Sequence, residues 1–166
     1  MIDYHDHEWG QRQTNTRKLF EMLCLEIFQA GLSWETILKR RFGMRQALYQ
    51  FYPDQLASLA PIQIEQLLMD ARIIRNRRKV EAIIHNANIV ATMTETFSQY
   101  LDRIVPLNQT DEVKLVRQVV KQMKADGFKF IGPNIINSFL EATGYFHHHQ
   151  PTCFAYRAGV DTVSAF

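Results

Sequence analysis

The 166-residue sequence has little of what marks a secreted or membrane protein. It contains only two cysteines, Cys24 and Cys153, which cannot build a disulfide framework and therefore favour a reducing compartment. No apolar run approaches the roughly 20 residues that a membrane-spanning helix needs. The opening residues, MIDYHDHEWG, have no apolar signal core. We therefore expect a soluble cytoplasmic protein that does not enter a membrane.

A surplus of charge of one sign is also missing. Lysine and arginine total 19 against 17 aspartates and glutamates, which leaves a net charge of +2. The total charge therefore neither supports nor excludes nucleic acid as a partner. The hydrophobic content of 46% and the charged content of 22% are typical of globular proteins and exclude a disordered chain. The length suits one domain, which we expect to cover residues 1–166.

Alternating apolar and polar residues, the pattern of a half-buried strand, are absent, and the apolar spacing is helical almost everywhere. We therefore predict an all-α fold. The least regular segments are expected to be the first 13 residues, residues 97–110 and everything after Gly144. The spacing predicts helices over residues 17–30, 34–51, 62–70, 77–91, 111–125 and 135–143.

Basic residues concentrate in two places that the small net charge hides. Clustered cations suit the phosphates of a nucleic acid, although a solvated protein surface explains either cluster alone equally well. One cluster lies on a predicted helix (Lys39, Arg40, Arg41, Arg45), and the other crowds the turn ARIIRNRRK (Arg72, Arg75, Arg77, Arg78, Lys79).

A short glycine-containing segment, DGFKFIGPN, joins the last two predicted helices. Gly132 permits a tight bend, and Pro133 suits the first position of a helix. The N–H groups at that helix start would point out of the turn, where they could bind a DNA phosphate. The alternative is an ordinary corner between helices, with Phe128, Phe130 and Ile131 in the core.

One carboxylate, Glu26, falls in the middle of an apolar helix face. Its neighbours three and four positions away include Met22, Leu23 and Ala30, and no Lys or Arg on the same helix can pair with it. Burying an unpaired carboxylate is costly. We therefore interpret Glu26 as a pocket acid that receives hydrogen-bond donors from a ligand. The alternative is pairing with an arginine or a helix N-terminus elsewhere in the chain.

Three aromatic residues, Tyr4, Trp9 and Trp34, lie near this helix in the sequence. Together with Glu26 they suit a pocket for a flat ring that is cationic or bears an amino group. The alternative is that these aromatic side chains simply belong to the core.

The histidines and one cysteine form a possible metal site. His149 and Cys153 have the spacing H-x3-C, and His5 could join them if the chain ends meet. Imidazole and thiolate ligands suit zinc. The alternatives are histidines at the surface, or a metal-dependent hydrolase built on His5, Asp6, His7 and the later histidines.

Taken together, these stretches resemble the DNA-3-methyladenine glycosylase type I family, within the helix-hairpin-helix glycosylase superfamily. The matching motifs follow in order from residue 4 to residue 153. They are YHDHEWG, KLFEMLCLE, QAGLSW, DARIIRNRRKVEAIIHNA, GFKFIG and His149-x3-Cys153. The resemblance implies an all-α helix-hairpin-helix fold. It also implies hydrolysis of the N-glycosidic bond of 3-methyladenine in double-stranded, alkylated DNA, without lyase activity.

The resemblance also assigns roles to residues. Glu26 would hydrogen-bond the excised base and is the candidate catalytic residue, while Tyr4, Trp9 and Trp34 would line the base pocket. Zinc would be held by His5, His149 and Cys153. The DNA-binding candidates are Lys129, Phe130, Gly132 and Asn134 of the hairpin, with Arg75 and Arg77 beside it. We expect a monomer.

The sequence departs from the family pattern at several positions. The family's fourth zinc ligand, a cysteine upstream of YHDHEWG, has no counterpart after Met1, and Ile27 replaces a common glycine. Asn134 and Asn137 stand where the family has threonine and tyrosine. Like the family it resembles, the chain lacks the aspartate that most of the superfamily carries just beyond the hairpin helix, since residues 145–148 read YFHH, so no residue that activates water is identified. The second hypothesis is therefore a catalytically weak or silent relative that recognises damaged DNA.

Overall fold

The computed structural model describes residues 2–105 and 111–156, and these residues form helices and connecting turns with no strand. The all-α prediction is therefore confirmed for the described part of the chain. No helix there is long and apolar enough to cross a membrane. The α-helices are α1 (Ile2–His7), α2 (Thr16–Gln29), α3 (Trp34–Ala47), α4 (Pro53–Ala57), α5 (Pro61–Met69), α6 (Arg77–Ala91), α7 (Phe97–Ile104), α8 (Glu112–Ala125) and α9 (Pro133–Ala142).

Polar side chains cap the starts of three helices. The side chains of Asn15, Ser33 and Asp111 accept hydrogen bonds from the backbone N–H groups three residues further on, at the starts of α2, α3 and α8. Each bond satisfies one of the N–H groups that an α-helix leaves without an internal partner. Local chemistry thus sets these boundaries.

Two segments expected to be irregular contain helices, so that prediction is wrong for them. The helix α7 begins with a reciprocal capping box between Thr96 and Gln99 and buries Phe97, Tyr100 and Leu101 on one face. The helix α1 lies within the first 13 residues. Residues 106–110 lie outside the described residues, whereas residues 144–156, after α9, contain no helix.

The helix predicted over residues 34–51 is also too long. It ends at Ala47, and the chain then makes a left-handed turn through Tyr49, Gln50 and Phe51, whose φ angles are 52°, 55° and 60°. This turn places Phe51 in the core with no exposed surface. The burial of Phe51 compensates for a backbone conformation that non-glycine residues rarely adopt.

The helix α2 occupies the centre of the molecule. Every residue from Leu19 to Phe28 is buried, including the two glutamates Glu21 and Glu26, and α3, α6, α7 and α9 all pack against it. A helix that is buried on all sides places each of its polar side chains inside the protein. The position of α2 therefore determines where the candidate site forms.

The N-terminal segment crosses the end of α9 and lies beside the segment that follows it. Gly10 N donates to Ala142 O at 3.3 Å, and Gln13 N donates to Thr143 O at 3.1 Å. Gly144 has a φ of +74°, and a Cβ there would lie 2.7 Å from the Cα of Arg12. Glycine is therefore required at residue 144 for this close approach.

Candidate active site

A cavity of about 450 Å³ opens beside α2 and is closed by α1, the start of α3, α9 and the segment after it. Its walls include Tyr4, Trp9, Glu26 and Trp34, so the four predicted pocket residues line one space. A concave cavity whose surface is mainly apolar and into which several polar groups converge is typical of a small-molecule site.

Glu26 is buried, with only 4% of its surface exposed. It forms no hydrogen bond or ion pair with any residue in the ranges 2–105 and 111–156. Burial, and then the negative charge of Glu141, raise the pKa of Glu26 to about 8. Neither an arginine nor a helix start from elsewhere pairs with it in the described structure. The geometry thus favours the interpretation of Glu26 as a pocket acid that needs donors from a ligand.

Tyr4 supplies a second unsatisfied polar group in the cavity. Its hydroxyl is buried and has no hydrogen-bond partner among the described residues, and its ring lies 5.4 Å from that of Trp34. Burial, followed by the charges of Glu26 and Glu8, raises the pKa of Tyr4 well above its usual range. Tyr4 is therefore a neutral hydroxyl that can donate to a ligand or accept from it.

The three predicted metal ligands converge at the edge of the cavity. Cys153 Sγ lies 3.6 Å from His5 Nε2 and 3.6 Å from His149 Nδ1, and the three ligand atoms all lie within 4.8 Å of one another. A tetrahedral zinc ion with usual bond lengths holds a sulfur and a nitrogen about 3.6 Å apart. The group therefore fits such an ion.

Neighbouring residues hold this cluster in shape. Asp6 Oδ1 lies 2.9 Å from His5 Nδ1, so the other ring nitrogen of His5 faces Cys153. The Trp9 ring packs against both imidazoles, 5.8 Å from His5 and 5.0 Å from His149. A Cβ at Gly10 would lie 2.9 Å from His149 Nε2, so a side chain there would displace the ligand.

Other histidines considered as ligands lie elsewhere. His7 Nδ1 contacts Asp3 of its own helix at 3.1 Å, and neither His7 nor His147 belongs to the metal-ligand group found among the described residues. Asp6 supports His5 from behind and does not belong to the group either. The arrangement thus differs from the hydrolase centre of His5, Asp6 and His7 considered from the sequence.

Sequence reasoning missed a polar relay on the wall opposite α2. His148 Nδ1 lies 2.8 Å from Glu141 Oε1, and His148 Nε2 lies 3.0 Å from Glu112 Oε1. Asn137 Nδ2 donates to Glu141 Oε1 at 2.8 Å. Asn137 and Glu141 are polar residues four positions apart, and they therefore lie on the same face of α9. The reasoning that identified Glu26 could therefore have identified this pair.

The segment between α8 and α9 forms the expected turn, but its tight bend is not at Gly132. Phe130 has the left-handed φ of +56°, whereas Gly132 is extended, with φ −128° and ψ 172°. Asn86 holds the turn through bonds of 2.8 and 2.9 Å to the backbone of Lys129. Phe128 and Ile131 are buried, and Phe130 is half-buried. The turn is therefore anchored to α6 and partly open to solvent.

Most of the first basic cluster is bonded to other groups of the protein. Arg41 and Arg45 each bond to Glu21 at 2.6 Å, and Arg41 also pairs with Glu8. Arg40 donates to the backbone oxygen of Ala71 at 3.1 Å. Arg41 and Arg45 hold α3 against α2 and the N-terminal segment, and Arg40 ties α3 to the segment after α5, so the cluster is mainly structural.

The second basic cluster divides into bonded and unbonded cations. Arg77 makes two bonds of 2.7 Å to Glu65, and Lys79 is buried, with its ammonium 2.8 Å from Phe28 O. Arg75 and Arg78 are exposed and form no ion pair with the described residues. Arg78 borders a shallow groove together with Lys129 and Phe130. The unpaired positive charge therefore lies beside the turn.

Comparisons with known proteins agree with the geometry. A family model described as methyladenine glycosylase matches residues 1–156. DNA-3-methyladenine glycosylase 1 of Escherichia coli (strain K12) is 37% identical, over 93% of this chain and 90% of its own. A crystal structure of 3-methyladenine DNA glycosylase I superposes with a TM-score of 0.83 at 38% identity, over 94% of this chain and 93% of its own. A Staphylococcus aureus structure, described as the basis of 3-methyladenine recognition by that glycosylase, has a TM-score of 0.83 at 34% identity and covers 92% and 88%.

Proposed function

This chain belongs to the methyladenine glycosylase family, and from that membership we propose that it is a base-excision repair enzyme that releases 3-methyladenine from alkylated DNA. The observation that carries the proposal is the cavity in which Glu26, without a protein partner in the described structure, faces Tyr4 and Trp34. A carboxylate among aromatic rings matches a flat base that is cationic and carries an amino group. We therefore propose Glu26, Tyr4, Trp9 and Trp34 as the base-binding residues.

The reaction begins with a base outside the duplex, because the bond to be cut is inaccessible inside the stack. Methylation at N3 makes the purine cationic, so the base leaves without being protonated by the enzyme. The bond between the base and C1′ breaks with both electrons going to the base, which becomes neutral. Water adds to C1′ and loses a proton, which leaves an abasic site.

Glu26 favours binding of the methylated base because its buried carboxyl has no hydrogen-bond donor and no positive charge beside it among the described residues. The cationic base brings both, and an opposite charge lowers the pKa of a carboxyl group. Base binding and ionisation of Glu26 therefore favour each other. The resulting ion pair discriminates against unmethylated adenine, which is neutral and would leave the buried carboxyl without a charge partner.

We propose that His5, His149 and Cys153 hold a zinc ion. When bound, the ion supplies positive charge and crosslinks α1 to the segment after α9. Because Tyr4 and Trp9 flank His5, this crosslink would hold one wall of the cavity in place. Asp6 would keep His5 oriented, and Gly10 would leave room for the ring of His149.

We propose that double-stranded DNA lies against the turn between α8 and α9, where Lys129, Phe130, Gly132 and Asn134 are located. The first intrahelical bond of α9 is donated by Ile136 N to Gly132 O at 3.0 Å, so the N–H groups before it are available to a phosphate. A Cβ at Gly132 would meet nothing within 4 Å, so the backbone is open to approach. Arg75 and Arg78 would add contacts, whereas Arg77 would first have to release Glu65. We expect the protein to act as a monomer.

A base-release assay tests the proposal. The wild type should release 3-methyladenine from a methylated duplex, and Glu26→Gln should lower kcat/KM by roughly a hundredfold, because a neutral amide cannot pair with the cation. Glu95→Gln removes a carboxylate that pairs with Arg103 away from the cavity, and it should behave as wild type. Salt-dependent DNA binding without any base release by the wild type would instead identify a silent relative.

A further inference from the structure

The cavity contains a second carboxylate, Glu141, which faces Glu26 from α9. Its side chain is largely buried, with 15% of its surface exposed. The charge of Glu141 acts on Glu26 strongly enough to raise the pKa of that carboxyl further after burial has raised it. A ligand bound in this cavity therefore experiences the electrostatic effect of both carboxyl groups.

Two donors from different parts of the chain fix the orientation of Glu141. Its Oε1 accepts from Asn137 Nδ2, one turn earlier in α9, and lies 2.8 Å from His148 Nδ1 in the segment after α9. Glu112 at the start of α8 contacts the other ring nitrogen of His148 at 3.0 Å. Asn137 is 3% exposed and the His148 side chain 4%, so this arrangement is built into the interior.

Such a relay carries negative charge whatever the form of its histidine. With both glutamates ionised, Glu112, His148 and Glu141 sum to a negative charge whether the imidazole is neutral or protonated. A negative wall attracts a cationic ring through a low-dielectric space much more strongly than it attracts a neutral ring of the same shape. Shape alone, by contrast, discriminates weakly between rings that differ by one atom.

We propose that Glu141 is a specificity-determining residue whose negative charge makes the cavity select cationic N-alkylated purines over neutral bases of equal shape. His148 and Asn137 are positioning residues that act through Glu141. This inference rests on the proposed function and adds a second carboxylate to the single acid that the sequence indicated.

The effect should fall on binding and not on the chemical step. Glu141 attracts the cationic base from the moment the base enters the cavity, and this attraction does not grow in the transition state, because bond cleavage neutralises the base. An interaction that is no stronger in the transition state lowers KM and does not raise kcat. Glu141→Gln should therefore raise the half-saturating enzyme concentration for 3-methyladenine release about tenfold and change the maximal single-turnover rate less than about threefold.

A neutral analogue separates charge from shape. In a duplex with 3-deaza-3-methyladenine, carbon replaces the methylated ring nitrogen, so the base is neutral and keeps the same outline. Glu141→Gln should leave the Kd for this duplex unchanged within about twofold. Gln retains an oxygen that accepts from Asn137 and His148, so a thermal melt should show a folded protein.

Two further variants separate charge from structure. Glu141→Asp keeps the charge on a shorter side chain and should retain most of the selectivity, whereas a purely structural role would tolerate Gln better than Asp. Asn137→Ala removes one orienting donor and should shift KM in the same direction by a smaller factor. Glu95→Gln serves as the matched control for the loss of one negative charge from the whole protein.

The outcomes of these experiments separate a failure of the Glu141 inference from a failure of the proposed glycosylase function. Equal half-saturating enzyme concentrations for wild type and Glu141→Gln, with base release intact, overturn the inference and leave the glycosylase function standing. An equal loss for the cationic base and the neutral analogue also overturns it, because the residue then shapes the cavity without selecting charge. A wild type that releases no methylated base overturns the proposed function itself.

Discussion

Two glutamates on one helix have opposite environments. Glu21 and Glu26 both lie on α2 and are both buried, about 140° apart around the helix axis. Glu21 bonds to Arg41 and Arg45 at 2.6 Å and to Arg17 at 3.3 Å. Glu26 has no partner in the described structure and faces the cavity. Burial alone therefore does not mark a functional acid, whereas burial without a partner beside an open cavity does.

The largest change in stability is expected at the satisfied glutamate. Glu21→Gln leaves the guanidinium groups of Arg41 and Arg45 without their central charge in a buried place. The free energy of unfolding should fall by about 3–5 kcal/mol. Urea denaturation at pH 7 measures it, with the exposed Glu65→Gln as the control that should change little. An unchanged urea midpoint for Glu21→Gln would show that the two environments are not different.

At the unsatisfied glutamate the same substitution should have the opposite sign. The pKa of Glu26 is about 8 in the folded protein and about 4.5 in the unfolded chain, so the unfolded state loses this proton first as pH rises. Glu26 therefore lowers stability progressively from about pH 4.5 to pH 8. Glu26→Gln should stabilise the protein by roughly 2–4 kcal/mol at pH 7 and have no effect below about pH 4.

Denaturation of both proteins across this pH range provides the measurement. A difference between Glu26→Gln and wild type that stays constant from pH 4 to pH 8 would contradict the assignment of a raised pKa to Glu26. A loss of stability in Glu26→Gln would show that a partner holds the carboxylate.

The group formed by His5, His149 and Cys153 resembles Glu26, because its expected partner is also an external ligand, here a zinc ion. Zinc at 100 times its Kd should stabilise the folded protein by about 2.7 kcal/mol, because the ion binds the assembled His5, His149 and Cys153. Elemental analysis and thermal unfolding with and without a chelator measure this. Cys153→Ser should abolish the response, while Cys24→Ser, on α2 and outside the cluster, should retain it.

The smallest effects are expected for DNA binding at the surface. There Arg77 pairs with Glu65 while Arg78 forms no ion pair with the described residues, which is the same contrast as between Glu21 and Glu26. Arg78→Ala should reduce the slope of log Kd for DNA against log salt by about one, since one phosphate contact is lost. Arg77→Ala should change the slope less, because Glu65 already holds that guanidinium. Filter binding of undamaged duplex at several salt concentrations tests the pair. Equal slopes for both variants would mean that the ion pair opens on DNA.

Much of the site could be predicted because its signals are local. The apolar face around Glu26 and the H-x3-C spacing of His149 and Cys153 each depend on residues a few positions apart. The helix α7 was missed because it is short and flanks a polar stretch. The position of the tight bend was misplaced because glycine at residue 132 looked more permissive than Phe130. Anchoring of the turn by Asn86, more than forty residues away, overrides that local preference.

The helical fold, the position of Glu26 on an apolar face and the membership of the glycosylase family all follow from the amino-acid order, because periodicity and ordered motifs are properties of neighbouring residues. Which of the two buried glutamates has partners depends instead on how the helices pack. The arginines that satisfy Glu21 include two from α3, and the relay behind Glu141 joins α8, α9 and the segment after it. A buried charge is stabilised by whatever lies within a few ångströms, and that depends on how distant segments pack.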